Sequence, residues 1–200
     1  MNITLTDKNK NLIVWAFAVP MLFRLVMSTQ GIDSTDVGFC NTFYQAIFDA
    51  PDTNEFNFIY YLTGFLGGCW EKIFGKFGLM GFRIFELFTL SVSVFCLYSI
   101  YKDKMRRKLC AAAVFLSLLF PIIIVTFHYD TLSYLLVALA ALMFSKHVEI
   151  HKGYLWITLA GVFIGISFFA RIVNFSFCVL AILPLLYKGE IGGGINQASA

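Results

Sequence analysis

The chain has 200 residues, of which 59% are hydrophobic, 18% aromatic and only 14% charged, with a formal net charge of +3. Its mean hydropathy is +0.78, and this balance excludes an ordinary soluble domain, in which about 25% of residues are charged. It predicts an all-α fold, a polytopic transmembrane helical bundle whose 23 Phe pack between helices or against acyl chains.

In chain order, residues 1–11 form a polar tail with Lys8 and Lys10 and no small-residue cleavage site of a removable signal peptide. The first hydrophobic run, Leu12 to Ser28, carries Arg24 near its far end. A long loop over residues 29–78 follows and opens with the acidic segment Gly31-Ile32-Asp33-Ser34-Thr35-Asp36-Val37-Gly38-Phe39. Aromatic and apolar residues at 39, 43, 44, 47 and 48 then predict an amphipathic helix, ended by Ala50-Pro51. Phe56 to Trp70 is uncharged but only 15 residues long with three glycines, short of the about 20 residues of a crossing helix. It reads as an interfacial or re-entrant helix.

The later runs are Leu79 to Tyr101, Leu109 to Phe127, Thr131 to Ser145, Tyr154 to Ala170 and Ile172 to Tyr187. About six spans are therefore expected in one transmembrane domain over residues 1–200, spans two to six lying within 79–187. Gly192 to Gly194 lacks the lysine and strand context of a P-loop. The ending Gly-Gly-Gly-Ile-Asn-Gln-Ala-Ser-Ala reads as interrupted, so a longer parent protein is expected. The five cysteines, Cys40, Cys69, Cys96, Cys110 and Cys178, have no metal-ligand spacing.

Orientation follows from the basic residues. A cytoplasmic N-terminus places Lys8, Lys10, Lys102, Lys104, Arg106, Arg107, Lys108, Lys146, Lys152 and Lys188 inside, ten of the fifteen, as the positive-inside rule requires. The outer side then collects Arg24, Asp33, Asp36, Arg83, Glu86, the turn His128-Tyr129-Asp130, Arg171 and Asn174. Ionisable groups at such depths are costly unless they pair or line a wet cavity, so each is a candidate. Structural roles compete: Arg83 and Glu86, three apart on a helix, can neutralise each other, and Arg24 and Arg171 can reach lipid phosphates. Asp49, Asp52 and Glu55 read as a solvated surface. A carboxylate directly beyond a span can act as general base or bind a divalent cation, while arginines grip phosphate oxygens through paired donors.

This order of parts resembles the N-terminal part of GT-C-type integral membrane glycosyltransferases, the polyprenyl- or dolichyl-phosphate-sugar-dependent mannosyltransferase and arabinosyltransferase-like families. The similarity lies in a short tail, one span, an acidic motif at the start of a long external loop, and Phe74-Gly75-Lys76-Phe77-Gly78-Leu79-Met80-Gly81-Phe82-Arg83 leading into the second span. His128-Tyr129-Asp130-Thr131-Leu132-Ser133 and Phe168-Phe169-Ala170-Arg171-Ile172-Val173-Asn174 extend it. The resemblance implies Asp33 or Asp36 as the catalytic acid-loop residue, with both as ligands of a divalent cation, Mg or Mn. It implies Arg24, Arg83, His128, Asp130 and Arg171 as binders of a polyprenyl-phosphate-linked sugar donor. Two residues separate Asp33 from Asp36, where the family has a tighter acidic pair. The expected activity is sugar transfer to a lipid, glycan or protein acceptor on the outer face of a bacterial inner membrane. The alternative is a non-catalytic polytopic protein, such as a transporter or flippase subunit or an envelope-assembly partner. No motif points to nucleic acid.

Overall fold

The computed structural model describes residues 7–29, 35–51, 57–119, 126–150, 154–174 and 176, though not the side chains of 7–10, 35–37, 57, 58 and 150. All regular structure among the described residues is helical: α1 (Asp7–Met27), α2 (Thr35–Ala46), α3 (Tyr61–Phe74), α4 (Gly78–Tyr101), α5 (Arg107–Leu119), α6 (Tyr129–Ile150) and α7 (Leu155–Ala170). Short 3-10 turns at Asn57–Tyr60, Gly75–Phe77 and Ile172–Asn174 join or follow them. Two stretches are long and apolar enough to cross a membrane: Tyr61–Tyr101, 41 residues through α3 and α4, and Tyr129–Glu149, 21 residues of α6. The apolar helices over Asn11–Met27 and Leu155–Ala170 are shorter. Beyond residue 176, the last expected span lies outside the described residues.

Two cores hold the bundle. Ala16 of α1, Leu90 and Val94 of α4, and Ala111, Val114 and Leu118 of α5 form the first. In the second, Cys40, Phe43 and Tyr44 of α2 and Ile47 just beyond it meet Phe82, Phe127, Leu132, Leu136 and Ala170, with Leu62, Leu66 and Trp70 of α3 packed against them. A helix thus forms after the acidic segment, and Phe43, Tyr44 and Ile47 of the expected apolar face are buried in protein while Phe39 and Phe48 stay exposed. The three glycines of α3 explain how: a Cβ at Gly64 would lie 2.1 Å from Phe43 Cε1, one at Gly67 2.4 Å from Tyr44 Cδ1, and one at Gly68 2.4 Å from Ile47 Cγ2. They form a groove for the α2 side chains.

Between α3 and α4 the chain breaks helix at Gly75–Phe77, and Gly78 takes φ +53°, a conformation natural to glycine. Trp70 Nε1 donates to Gly81 O at 3.1 Å, and its ring stacks on Phe85 at 4.3 Å, which stacks on Phe127 at 4.1 Å. Polar side chains within α4 are satisfied locally, Thr89, Ser91, Ser93 and Ser99 each donating to the carbonyl four residues earlier at 2.6–2.8 Å.

Candidate functional site

The candidate residues separate into two groups. The first joins α1 to α4, which run antiparallel, so Arg24 and Ser28 face Glu86 and Arg83 as rungs of a ladder. Arg24 Nη2 meets Glu86 Oε1 at 2.6 Å, each side chain 2% exposed, and Arg24 Nη1 also reaches Leu118 O at 3.4 Å. Arg83 donates through Nη1 to Ser28 O, just past the end of α1, where the dipole and unpaired carbonyls favour a cation. Glu86 thus pairs across the helices with Arg24 rather than within α4 with Arg83, and Arg24 turns inward to that partner. Both α4 side chains are buried against α1, whose own polar groups offer better-placed partners.

The second group forms where α6 begins and α7 ends. Tyr129 and Asp130, expected in a turn, occupy the first turn of α6. His128 precedes them, with Nε2 3.6 Å from Asp130 Oδ2 and Nδ1 2.8 Å from Thr131 Oγ1. Arg171 leaves α7 in an extended conformation, ion-pairs with Asp130, and sets its guanidinium 5.0 Å from the Tyr129 ring centroid. Tyr129 in turn stacks on Tyr60 at 4.9 Å. Asn174 donates through Nδ2 to Ser133 Oγ at 2.8 Å and Ser167 O at 2.9 Å, fixing the turn after Arg171. Thr63 Oγ1 donates to Ala170 O at 3.2 Å, tying α3 to the same junction.

An open groove of about 750 Å³ runs from this group along α6. Asp130, Arg171, Asn174 and Ser133 stand at its polar end, and Leu90, Val94, Leu97, Val137, Ala138 and Ala141, with Ser93 and Ser117 among them, line the mainly apolar remainder. From Asp130 to Ala141 an α-helix rises about 16 Å. The arrangement joins a cation and hydrogen-bonding groups to a long apolar wall. It suits a molecule with a polar head and a hydrocarbon tail.

Tyr44 supports the site from beneath. Its hydroxyl donates to Phe127 O at 2.9 Å, and burial pushes its phenol well above the usual tyrosine range, so it remains a donor. Ser133, Tyr60, Thr63 and Tyr44 were not among the residues expected from the sequence. For Ser133 a signal existed: positions 130, 133, 137 and 141 recur every three to four residues on one face of α6. The contacts of Tyr60, Thr63 and Tyr44 depend on tertiary packing and leave no such trace.

Asp33 lies outside the described residues. Asp36 is the second residue of α2, and its side chain is not described. Among the described residues, which leave out both of these side chains, no group of three or more His, Cys, Asp or Glu side chains gathers. No protein-family model, curated protein or solved structure matches the chain.

Proposed function

We propose that this chain acts as a membrane glycosyltransferase that takes a sugar from a polyprenyl-phosphate-linked donor and passes it to a lipid, glycan or protein acceptor. In this reading the chain is a bundle of about six spans with its N-terminus in the cytoplasm, and the α2–α3 layer lies on the outer face. The observation that carries it is the groove: a half-exposed arginine, an asparagine and a serine at one end, and about 16 Å of apolar wall beyond them. Outward-facing apolar side chains on α1 and α4, such as Trp15, Phe88 and Phe95, suit contact with acyl chains.

Arg171 would bind the donor phosphate and stabilise the charge that develops there as the bond to the anomeric carbon breaks. Asp130 and Tyr129 orient the guanidinium, and Asn174 holds the backbone that carries it. Asp33 or Asp36 would accept the acceptor hydroxyl proton. A divalent cation, where these aspartates hold one, would add positive charge beside the phosphate. Arg24 and Glu86 act as a structural pair that sets α1 against α4.

The test is transfer from a radiolabelled polyprenyl-phosphate sugar by the protein in proteoliposomes. Asp33→Asn and Asp36→Asn are made separately, with Arg171→Gln as a third variant. Loss of the proton acceptor lowers turnover about 10²–10⁴-fold, and Arg171→Gln lowers it about 10²–10³-fold. Undiminished turnover in both aspartate variants would remove the acid role. Lipid or solute flux without any transfer would favour the transporter reading.

A further inference from the structure

The end of the bundle remote from the groove's polar group carries its own concentration of charge. Residues 102–108 hold Lys102, Lys104, Arg106, Arg107 and Lys108 against the single carboxylate Asp103. Lys102, Lys104, Arg106 and Lys108 are exposed. Lys104 Nζ lies 3.4 Å from Ser145 Oγ, bringing the α4–α5 turn beside the last turns of α6 and hence beside Lys146. The carboxylate there, Glu149, pairs with Lys146 at 2.9 Å. Among the described residues, none of the five basic side chains of 102–108 has a carboxylate within salt-bridge distance. Arg107 Nη1 and His147 Nδ1 are both buried without a hydrogen-bond partner among the described residues.

The surroundings define the partner. Exposed Tyr101 and Leu109 flank the cluster, 47% and 57% accessible, and the cluster begins where the apolar Tyr61–Tyr101 stretch ends, beside the end of Tyr129–Glu149. A soluble polyanion would match the charges and leave these apolar flanks in water. A bilayer surface meets both, with acyl chains against the flanks and phosphodiesters at the depth of the lysines.

We propose that the basic end formed by residues 102–108 and Lys146 binds the headgroups of anionic phospholipids. This surface is independent of sugar transfer and would hold α4, α5 and α6 together at the membrane surface. The test titrates the full detergent-purified chain with dioleoylphosphatidylglycerol or dioleoylphosphatidylcholine and counts bound lipid by native mass spectrometry. The wild type should favour the anionic lipid at least about tenfold. Each neutralised exposed charge should weaken its binding about fivefold, and Lys102→Gln/Lys104→Gln/Arg106→Gln on the order of a hundredfold. Lys102→Arg/Lys104→Arg/Arg106→Lys should bind as the wild type does. If the triple Gln variant does not fold, Lys102→Gln and Arg106→Gln, at exposed positions, carry the same test singly. Equal binding of the two lipids, unchanged binding in the Gln variants, or loss in the charge-conserving one would overturn the proposal. So would thermal stabilisation by inorganic phosphate equal to that by the anionic lipid, which would mark a site for free phosphate.

Discussion

Replacing Glu86 with Gln removes one charge and almost no volume from the contact between α1 and α4. The carboxylate it removes lies 2.6 Å from Arg24 Nη2, in a layer where both side chains are 2% exposed. A guanidinium cannot shed its proton, so Arg24 keeps its charge in the variant. Breaking a buried pair from one side costs about 3–5 kcal/mol. In a helical domain of this size each kcal/mol shifts the midpoint by about 2–4 °C, so Glu86→Gln should lower the Tm in detergent by roughly 6–20 °C. Arg24→Met should cost less, because a buried carboxylate can escape its charge by binding a proton. The double variant Arg24→Met/Glu86→Leu should be milder than Glu86→Gln, since no charge remains to be compensated. Thermal unfolding followed by circular dichroism measures all three. A loss below about 1 kcal/mol for Glu86→Gln, or a double variant that loses as much as Glu86→Gln or more, would refute the buried-pair reasoning.

Gly64→Ala should destabilise by about 1–3 kcal/mol, because its Cβ would sit 2.1 Å from Phe43 Cε1. Gly165→Ala, where nothing lies within 4 Å, should be neutral or stabilising by up to about 1 kcal/mol in the same melts. Tyr44→Phe strips the buried Phe127 carbonyl of its 2.9 Å donor and should cost about 1–3 kcal/mol by denaturant titration, with the helical circular dichroism spectrum retained. Asn174→Ala removes the bonds to Ser133 Oγ and Ser167 O at 2.8 and 2.9 Å, and amide hydrogen exchange should rise at Arg171–Asn174 before it rises in α6.

Helices were legible wherever a long apolar run met clear punctuation. Tyr101 ends α4 immediately before the basic turn, and Ala170 ends α7 immediately before Arg171, both as the sequence implies. The amphipathic spacing likewise pointed to a helix here, though α2 stops at Ala46, ahead of Ile47, Phe48 and the expected Ala50-Pro51 end. What could not be read was the partner of each polar side chain. Arg83 and Glu86 have the ideal local spacing for an ion pair, yet Glu86 bonds to a residue 62 positions away. Local spacing states which pairs are possible within a helix. Which one forms depends on the neighbouring helix, here α1, whose register sets Arg24 against Glu86 and Ser28 against Arg83.

The same dependence separates the two arginines that looked alike in sequence, each at the end of an apolar run. Arg24 is 2% exposed and bonded to Glu86 and the carbonyl of Leu118, so a ligand phosphate could reach it only by dismantling the contact between helices. Arg171 has a side chain 38% exposed beside the groove, and its acidic partner, Asp130, holds it from one side. A planar guanidinium has five donors, so a carboxylate on one edge still leaves donors for a ligand oxygen on another. Pairing with Asp130 and contact with Tyr129 reduce the rotamer freedom that Arg171 would lose on binding, so the ion pair orients the cation without occupying all of its donors. Depth in the bundle separates the two: Arg24 is buried in a bond across the α1–α4 contact, and Arg171 stands partly exposed at the groove.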